Sequence, residues 1–199
     1  GAIGTGKTTI ALLTTAYQLH VLSCLRDPHA FFKLDPASEI VFAIQSLSAQ
    51  VAKEVAYRRL RKMVDNSPYF QRHFPCSPHI KNELVFPNRI VVRPLSGSAT
   101  AAIGSNIMGG ILDEVNYMDI VDRSTRSSDG GAYDQALETY NSLARRRKSR
   151  FMTAGGKLPG MLCLVSSKRY PGEFTDQKQI EAQREISEKG SSSIYVYDQ

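Results

Sequence analysis

Gly1, Gly6, Lys7, Thr8 and Thr9 in "GAIGTGKTT" constrain this chain more than any other stretch. The run satisfies G-x-x-x-x-G-K-[ST], and the reason for these residue types is geometric. Glycines let backbone N–H groups turn inward around phosphate oxygens, and the helix that follows points its positive end at them. Lys7 would reach the β- and γ-phosphates of a nucleoside triphosphate such as ATP. Thr8 would offer its hydroxyl to Mg²⁺, and Thr9 would touch the α-phosphate. Gly1, Gly4, Thr5 and Gly6 complete the cradle. The alternative is an ordinary Gly-rich turn. Against it stands the long helical pattern that begins at Lys7, where the motif requires one.

That helix reads from Lys7 to about Leu25, apolar on more than one side and therefore expected to be well buried. "RDPHAFFKLDPAS", with two prolines, reads as a loop. "EIVFAIQSL" is a β-rich run with apolar residues on both faces, as in a parallel sheet covered on both sides. An amphipathic helix over about Ala49 to Val64 carries Arg58, Arg59, Arg61 and Lys62 on its polar side, which reads as a solvated face. "HIKNELVFPNRIVVRPLS" predicts two strands meeting at Pro87-Asn88. "GSATAAIGSN" and "STRSSDGG" read as loops. Tyr133, Ala136, Leu137, Tyr140, Leu143 and Ala144 recur at helical spacing. "GMLCLVSS" and "SSSIYVYD" read as strands, and Phe174 to Lys189 as a helix between them. Alternating strands and helices predict an α/β fold, a mainly parallel central sheet flanked by helices.

The chain has 199 residues, 42% of them hydrophobic, enough for one domain with a real core. Its net charge of +6 permits a polyanionic partner such as nucleic acid without requiring one. Cys24, Cys76 and Cys163 are dispersed and odd in number, which argues against a disulfide framework and for a reducing compartment. No apolar run approaches the roughly 18 residues of a membrane span.

"GGILDEVNYM" supplies the second half of a nucleotide site. An apolar strand ends at Asp113 and Glu114. Asp113 would hold a water in the Mg²⁺ shell, and Glu114 would polarise the attacking water. Phosphoryl transfer asks the protein mainly for positioning and charge neutralisation. The alternative is a solvated Asp-Glu turn; the preceding buried strand and the upstream loop favour the catalytic pair, with Glu114 and Lys7 as its catalytic members.

Taken in order, "GAIGTGKTTIA", "EIVFAIQSLSAQVAKEVAYRRLR", "NRIVVRPLSGSATAAIGSN", "IMGGILDEVNYM" and "GKLPGMLCLVSSKRYPG" resemble the ATPase part of the large terminase subunit of tailed bacteriophages. The resemblance implies a P-loop NTPase over residues 1–199 with an extra strand between loop and acidic pair. It implies Ser166 and Ser167 as a coupling pair sensing the nucleotide; a simple strand-to-loop turn is the alternative. It implies double-stranded DNA, a portal protein, a small terminase subunit and a homo-oligomeric ring as partners, and a location in host cytoplasm and transiently at the prohead portal. The first glycine of the loop opens the chain, so an N-terminally truncated domain is expected, with a strand upstream and a nuclease domain beyond Gln199. A helicase or DNA-repair ATPase, or a nucleotide-gated DNA-binding switch, shares the loop and acidic pair and stays open.

Two departures from the family stand out. Many relatives carry an arginine inside the loop, where this chain has Ala2, Ile3, Gly4 and Thr5. Many carry Arg-Gly before the acidic strand, where this chain has Ile103-Gly104. The charge-neutralising arginine is therefore unassigned, with Arg123, Arg126 and the Arg145–Arg150 run as candidates. That basic run also reads as a DNA-backbone contact or a solvated helix end. His73, Cys76 and His79 suit zinc by type, but a structural site needs a fourth ligand and none is nearby.

Overall fold

The computed structural model describes residues 6–96, 102, 104–121, 133–153, 158–190, 192 and 194. Its helices are α1 (Lys7–Ser23), α2 (Pro28–Phe32), α3 (Ala49–Val51), α4 (Arg58–Asp65), α5 (Pro68–His73), α6 (Gln135–Phe151) and α7 (Phe174–Lys189). Its strands are β1 (Ile40–Gln45), β2 (Leu84–Phe86), β3 (Ile90–Leu95), β4 (Asn106–Asp113), β5 (Ile120–Val121), β6 (Tyr133–Asp134) and β7 (Leu162–Val165). The central sheet runs β2-β3-β1-β4-β7. β3, β1, β4 and β7 are parallel, and β2 joins antiparallel at the edge. β5 and β6 form a separate two-stranded ribbon.

Every residue of β1 is buried. Ile40, Phe42 and Ile44 face a core shared with α1, α4 and α5, through Leu12, Leu19, Leu60 and Phe70. Val41 and Ala43 face the opposite core, with Leu143 of α6 and Phe174 of α7. The continuous apolar run in the sequence is thus a strand covered on both sides, as expected. Each fully buried Ile, Val or Phe of the strand contributes roughly 1.5–3 kcal/mol.

Local sequence accounts for most element ends. Asp27, Ser48 and Asp134 each accept a backbone N–H from the first turn of their helices. The hairpin at Pro87 forms between β2 and β3, its turn carried by left-handed Asn88 and Arg89. Arg93 braces the same strands, pairing with Glu83 at 2.5 Å and Glu39 at 3.0 Å.

Three features depart from expectation. The Pro-interrupted stretch after α1 contains α2, because Asp27 and Pro28 are a capping residue and an N1 proline rather than plain breakers. The helix over 49–65 passes through a π-turn, Ala52–Tyr57, between α3 and α4. And α1 is buried on one side only: Ile10, Leu13, Tyr17 and Val21 are exposed. α1 packs on β4 and β7, and β7 is the sheet edge among the described residues, so no neighbour lies beyond it there. "STRSSDGG", most of "GSATAAIGSN" and all but Ser192 and Ile194 of "SSSIYVYD" fall outside the described residues.

The glycine pair in β4 has a packing reason. A Cβ on Gly110, which sits at φ 146, would lie 1.9 Å from Ala43 O of β1. One on Gly109 would lie 2.4 Å from Met161 O. Gly110→Ala is expected to destabilise the domain by about 3 kcal/mol or more, summing backbone strain and steric overlap. Equilibrium denaturation measures it, and a variant as stable as the parent would contradict this packing.

Candidate functional site

Parallel α/β sheets bind ligands at the carboxyl ends of their strands. Here that edge collects polar groups that the core has no use for. β1 ends into Ser46, β4 ends at Asp113 and β7 runs into Ser166, all buried. Gln45 pairs with Leu112 and Asp113 with Val165, so these polar residues end neighbouring strands at nearly the same level. Ser46 Oγ, Asp113 Oδ1 and Glu114 Oε2 are buried with no hydrogen-bond partner among the described residues.

Asp113 is 3% exposed. Burial, and then the neighbouring Glu114 carboxylate, push its carboxyl up to about 6, against a partial pull downward from the backbone of Glu114, Arg59 and Lys7. Glu114 follows in a left-handed conformation, φ 57, and starts a tight turn over Val115–Tyr117. Such a backbone costs about 1–3 kcal/mol in a non-glycine residue and persists only where its surroundings enforce it.

α1 begins within electrostatic reach of Asp113. Gly6 takes φ 80 at its amino end, a conformation that favours glycine, and offers no side-chain cap. Lys7, Thr8 and Thr9 occupy the first turn, partly exposed. Lys7 is close enough to Asp113 to act on its ionisation. Lys7, in the first turn of α1 with Thr8 and Thr9 and after Gly6, thus lies within electrostatic reach of Asp113. Gly1, Gly4 and Thr5 lie outside the described residues.

The family model "Uncharacterized protein MJ0330, N-terminal P-loop domain" matches residues 2–196. The chain belongs to this P-loop family. No curated protein matches it in sequence. Among solved structures it is similar in fold to the large terminase of a thermophilic bacteriophage. The TM-score is 0.52 at 14% identity, over 95% of this chain and 37% of that one. A second structure of that terminase, in complex with ADP, gives 0.52 at 15%, with the same coverage. The HK97 bacteriophage large terminase gives 0.48 at 14%, over 90% of this chain and 31% of that one. The chain therefore spans well under half the length of the terminases it matches.

The partnerless oxygens of Asp113 and Glu114 are of the type that a hard divalent cation such as Mg²⁺ takes as ligands. Asp113 sits buried at the end of β4, and Thr8 lies in the first turn of α1. No helix among the described residues is long and apolar enough to cross a membrane. Nor does any group of three His, Cys, Asp or Glu side chains among them converge as a metal site; His73 lies tilted against Tyr69 and Cys76 is half-buried against the core.

Ser166 and Ser167 meet the acidic turn through Asn116, a residue that no sequence motif singles out. The Asn116 backbone N–H donates to Ser166 Oγ at 3.1 Å. Its side chain donates to Ser167 O at 3.2 Å and Thr175 Oγ1 at 2.9 Å, and accepts from Thr175 N at 3.2 Å. Arg169 clamps the same turn, bonding Asn116 O and Glu173 and lying 4.3 Å over the Tyr117 ring. Two residues from Glu114, this network ties the acidic turn to the end of β7 and the start of α7. Its only sequence signal is an Asn just after the acidic pair.

The basic run is not uniformly a solvated surface. Arg147 is half-buried and donates to Met108 O at 3.1 Å, Pro159 O at 3.2 Å and Gly160 O, fastening α6 to β4 and to the segment before β7. Burial lowers its pKa. Arg123 and Arg126 lie outside the described residues.

Because the buried Asp113 carboxylate is disfavoured when charged, removing its charge should help the ligand-free fold. Asp113→Asn is expected to raise stability at pH 8, with divalent metal chelated, by about 1–3 kcal/mol in chemical denaturation. A loss of stability there would show that Asp113 is already compensated. Asn116→Ala, which removes the side-chain hydrogen bonds to Ser167 and Thr175, is expected to cost about 1–3 kcal/mol, read from the same transition.

Proposed function

We propose that this domain hydrolyses ATP and serves as the motor of a DNA-packaging protein of the large-terminase type. The observation that carries the reading is that Lys7, at the amino end of α1, lies within electrostatic reach of the buried Asp113 at the end of β4. The fold likeness to the large terminase of the thermophilic bacteriophage, and the ADP in one of its structures, support the choice of nucleotide and of motor class.

Lys7 and the backbone amides of the loop bind the β- and γ-phosphates. Thr8 and Asp113 hold Mg²⁺, which when bound supplies neutralising charge at the phosphates. Glu114 orients a water and accepts its proton as the oxygen bonds to the γ-phosphorus. The bond from phosphorus to the bridging oxygen breaks, leaving ADP and inorganic phosphate. The enforced left-handed backbone at Glu114 restricts where its carboxylate can point. Loss of the γ-phosphate would then be felt at Asn116, Ser166, Ser167 and α7, the connected elements next to the site.

In the whole protein we place the cycle on double-stranded DNA, in a homo-oligomeric ring docked on a portal with a small terminase subunit. It would work in host cytoplasm and transiently at the prohead. In the intact protein, Lys7→Ala is expected to abolish nucleotide binding and turnover. Glu114→Gln should lower ATP turnover by about 100-fold or more while ATP binding persists. Steady-state hydrolysis and equilibrium binding measure both; unchanged turnover in the two variants would overturn the assignment.

A further inference from the structure

Arg59 lies outside every motif of the nucleotide site, on a helix face that reads as solvated. In the fold its guanidinium leaves that face: Nη2 donates to Thr9 Oγ1, in the first turn of α1, at 2.6 Å. The cation is also close enough to Asp113 to be felt there alongside Lys7, yet no ion pair joins Arg59 to Asp113 among the described residues. Arg59 is therefore hydrogen-bonded to the first turn of α1 and within electrostatic reach of Asp113, with no ion pair to it among the described residues.

The other cations of α4 are used differently. Arg61 donates to Tyr57 Oη at 3.1 Å and to Ile80 O at 3.0 Å, on the far side of the helix. Arg58 is exposed. The π-turn over Ala52–Tyr57 ends immediately before this segment. An added residue in a turn rotates everything that follows it, and such turns concentrate at functional sites. Here it sets the azimuth at which α4 presents Arg59. The side chain borders an open groove with Lys62, Met63 and Asn66, so the fork can move toward a ligand without unpacking the core.

We propose that Arg59 is the phosphate-contacting arginine of this domain, delivered in cis from α4 to the phosphoryl oxygens of the bound nucleoside triphosphate. It supplies the guanidinium that the loop itself lacks at Ala2, Ile3, Gly4 and Thr5. The planar fork matches phosphate oxygens, and its anchor on Thr9 holds it at the first turn of α1. The charge it neutralises develops as the γ-phosphoryl group transfers, so its effect falls on the chemical step. This inference rests on the ATPase reading.

The test uses the intact protein and ATP with Mg²⁺. Arg59→Ala is expected to lower kcat by about 100-fold or more. The Kd for a fluorescent ATP analogue should change less than about threefold, and the melting temperature should stay at the wild-type value. Arg59→Lys should recover part of the rate, and Arg58→Ala should hydrolyse ATP as the wild type does. Mixing Arg59→Ala chains with Lys7→Ala chains should leave the preparation inactive, as a cis contact requires. The inference is overturned if Arg59→Ala keeps wild-type kcat, if its rate loss is matched by a loss of stability, or if mixing restores activity. Wild-type turnover that depends on Lys7 but not on Arg59 leaves the ATPase reading standing; a wild type without turnover removes both.

Discussion

A strand sealed on both faces and both edges cannot carry a charge until it ends. β4 is such a strand: β1 and β7 flank it, and the two hydrophobic cores cover it. Its glycines permit a backbone approach that a Cβ would block. Asp113 is the first residue at which an ionisable group can emerge. It does so still buried, with an oxygen that finds no partner among the described residues. Burial is what makes the carboxylate expensive there.

The same edge tolerates other local costs. Glu114 holds a left-handed backbone, and Gly6 holds one that favours glycine. Neither conformation is set by local preference alone. The turn after Glu114 is pinned by Asn116, Ser166, Thr175 and Arg169, so the strain is enforced from β7 and α7 rather than from β4. These hydrogen bonds tie the acidic turn to the end of β7 and the start of α7.

Arginine shows how little residue type says about role. Arg147 sits in a run that looks like a surface for polyanions, yet its guanidinium is spent on three backbone carbonyls inside the fold. Arg61 braces the loop before β2. Arg59, two residues earlier on the same helix, reaches the amino end of α1. Long flexible cations take their function from whatever acceptors the fold brings within reach.

Much of the architecture is written in local pattern. The two-faced apolar run of β1, the span of α7, the hairpin at Pro87 and the α/β alternation follow from side-chain periodicity and turn chemistry, which act over a few residues. The spacing of Gly6, Lys7 and Thr8, and a carboxylate pair closing an apolar strand, are legible for the same reason. α2 is hidden in the sequence because its capping Asp27 and N1 proline look like breakers. The exposed side of α1 is hidden because apolar periodicity says that a face seeks cover, not which neighbour provides it. Only the tertiary structure joins Thr9 to Arg59 across fifty residues and Asn116 to Ser166 across another fifty. Such contacts depend on strand order and helix azimuth, and those are set by how whole layers pack rather than by any local stretch of chain.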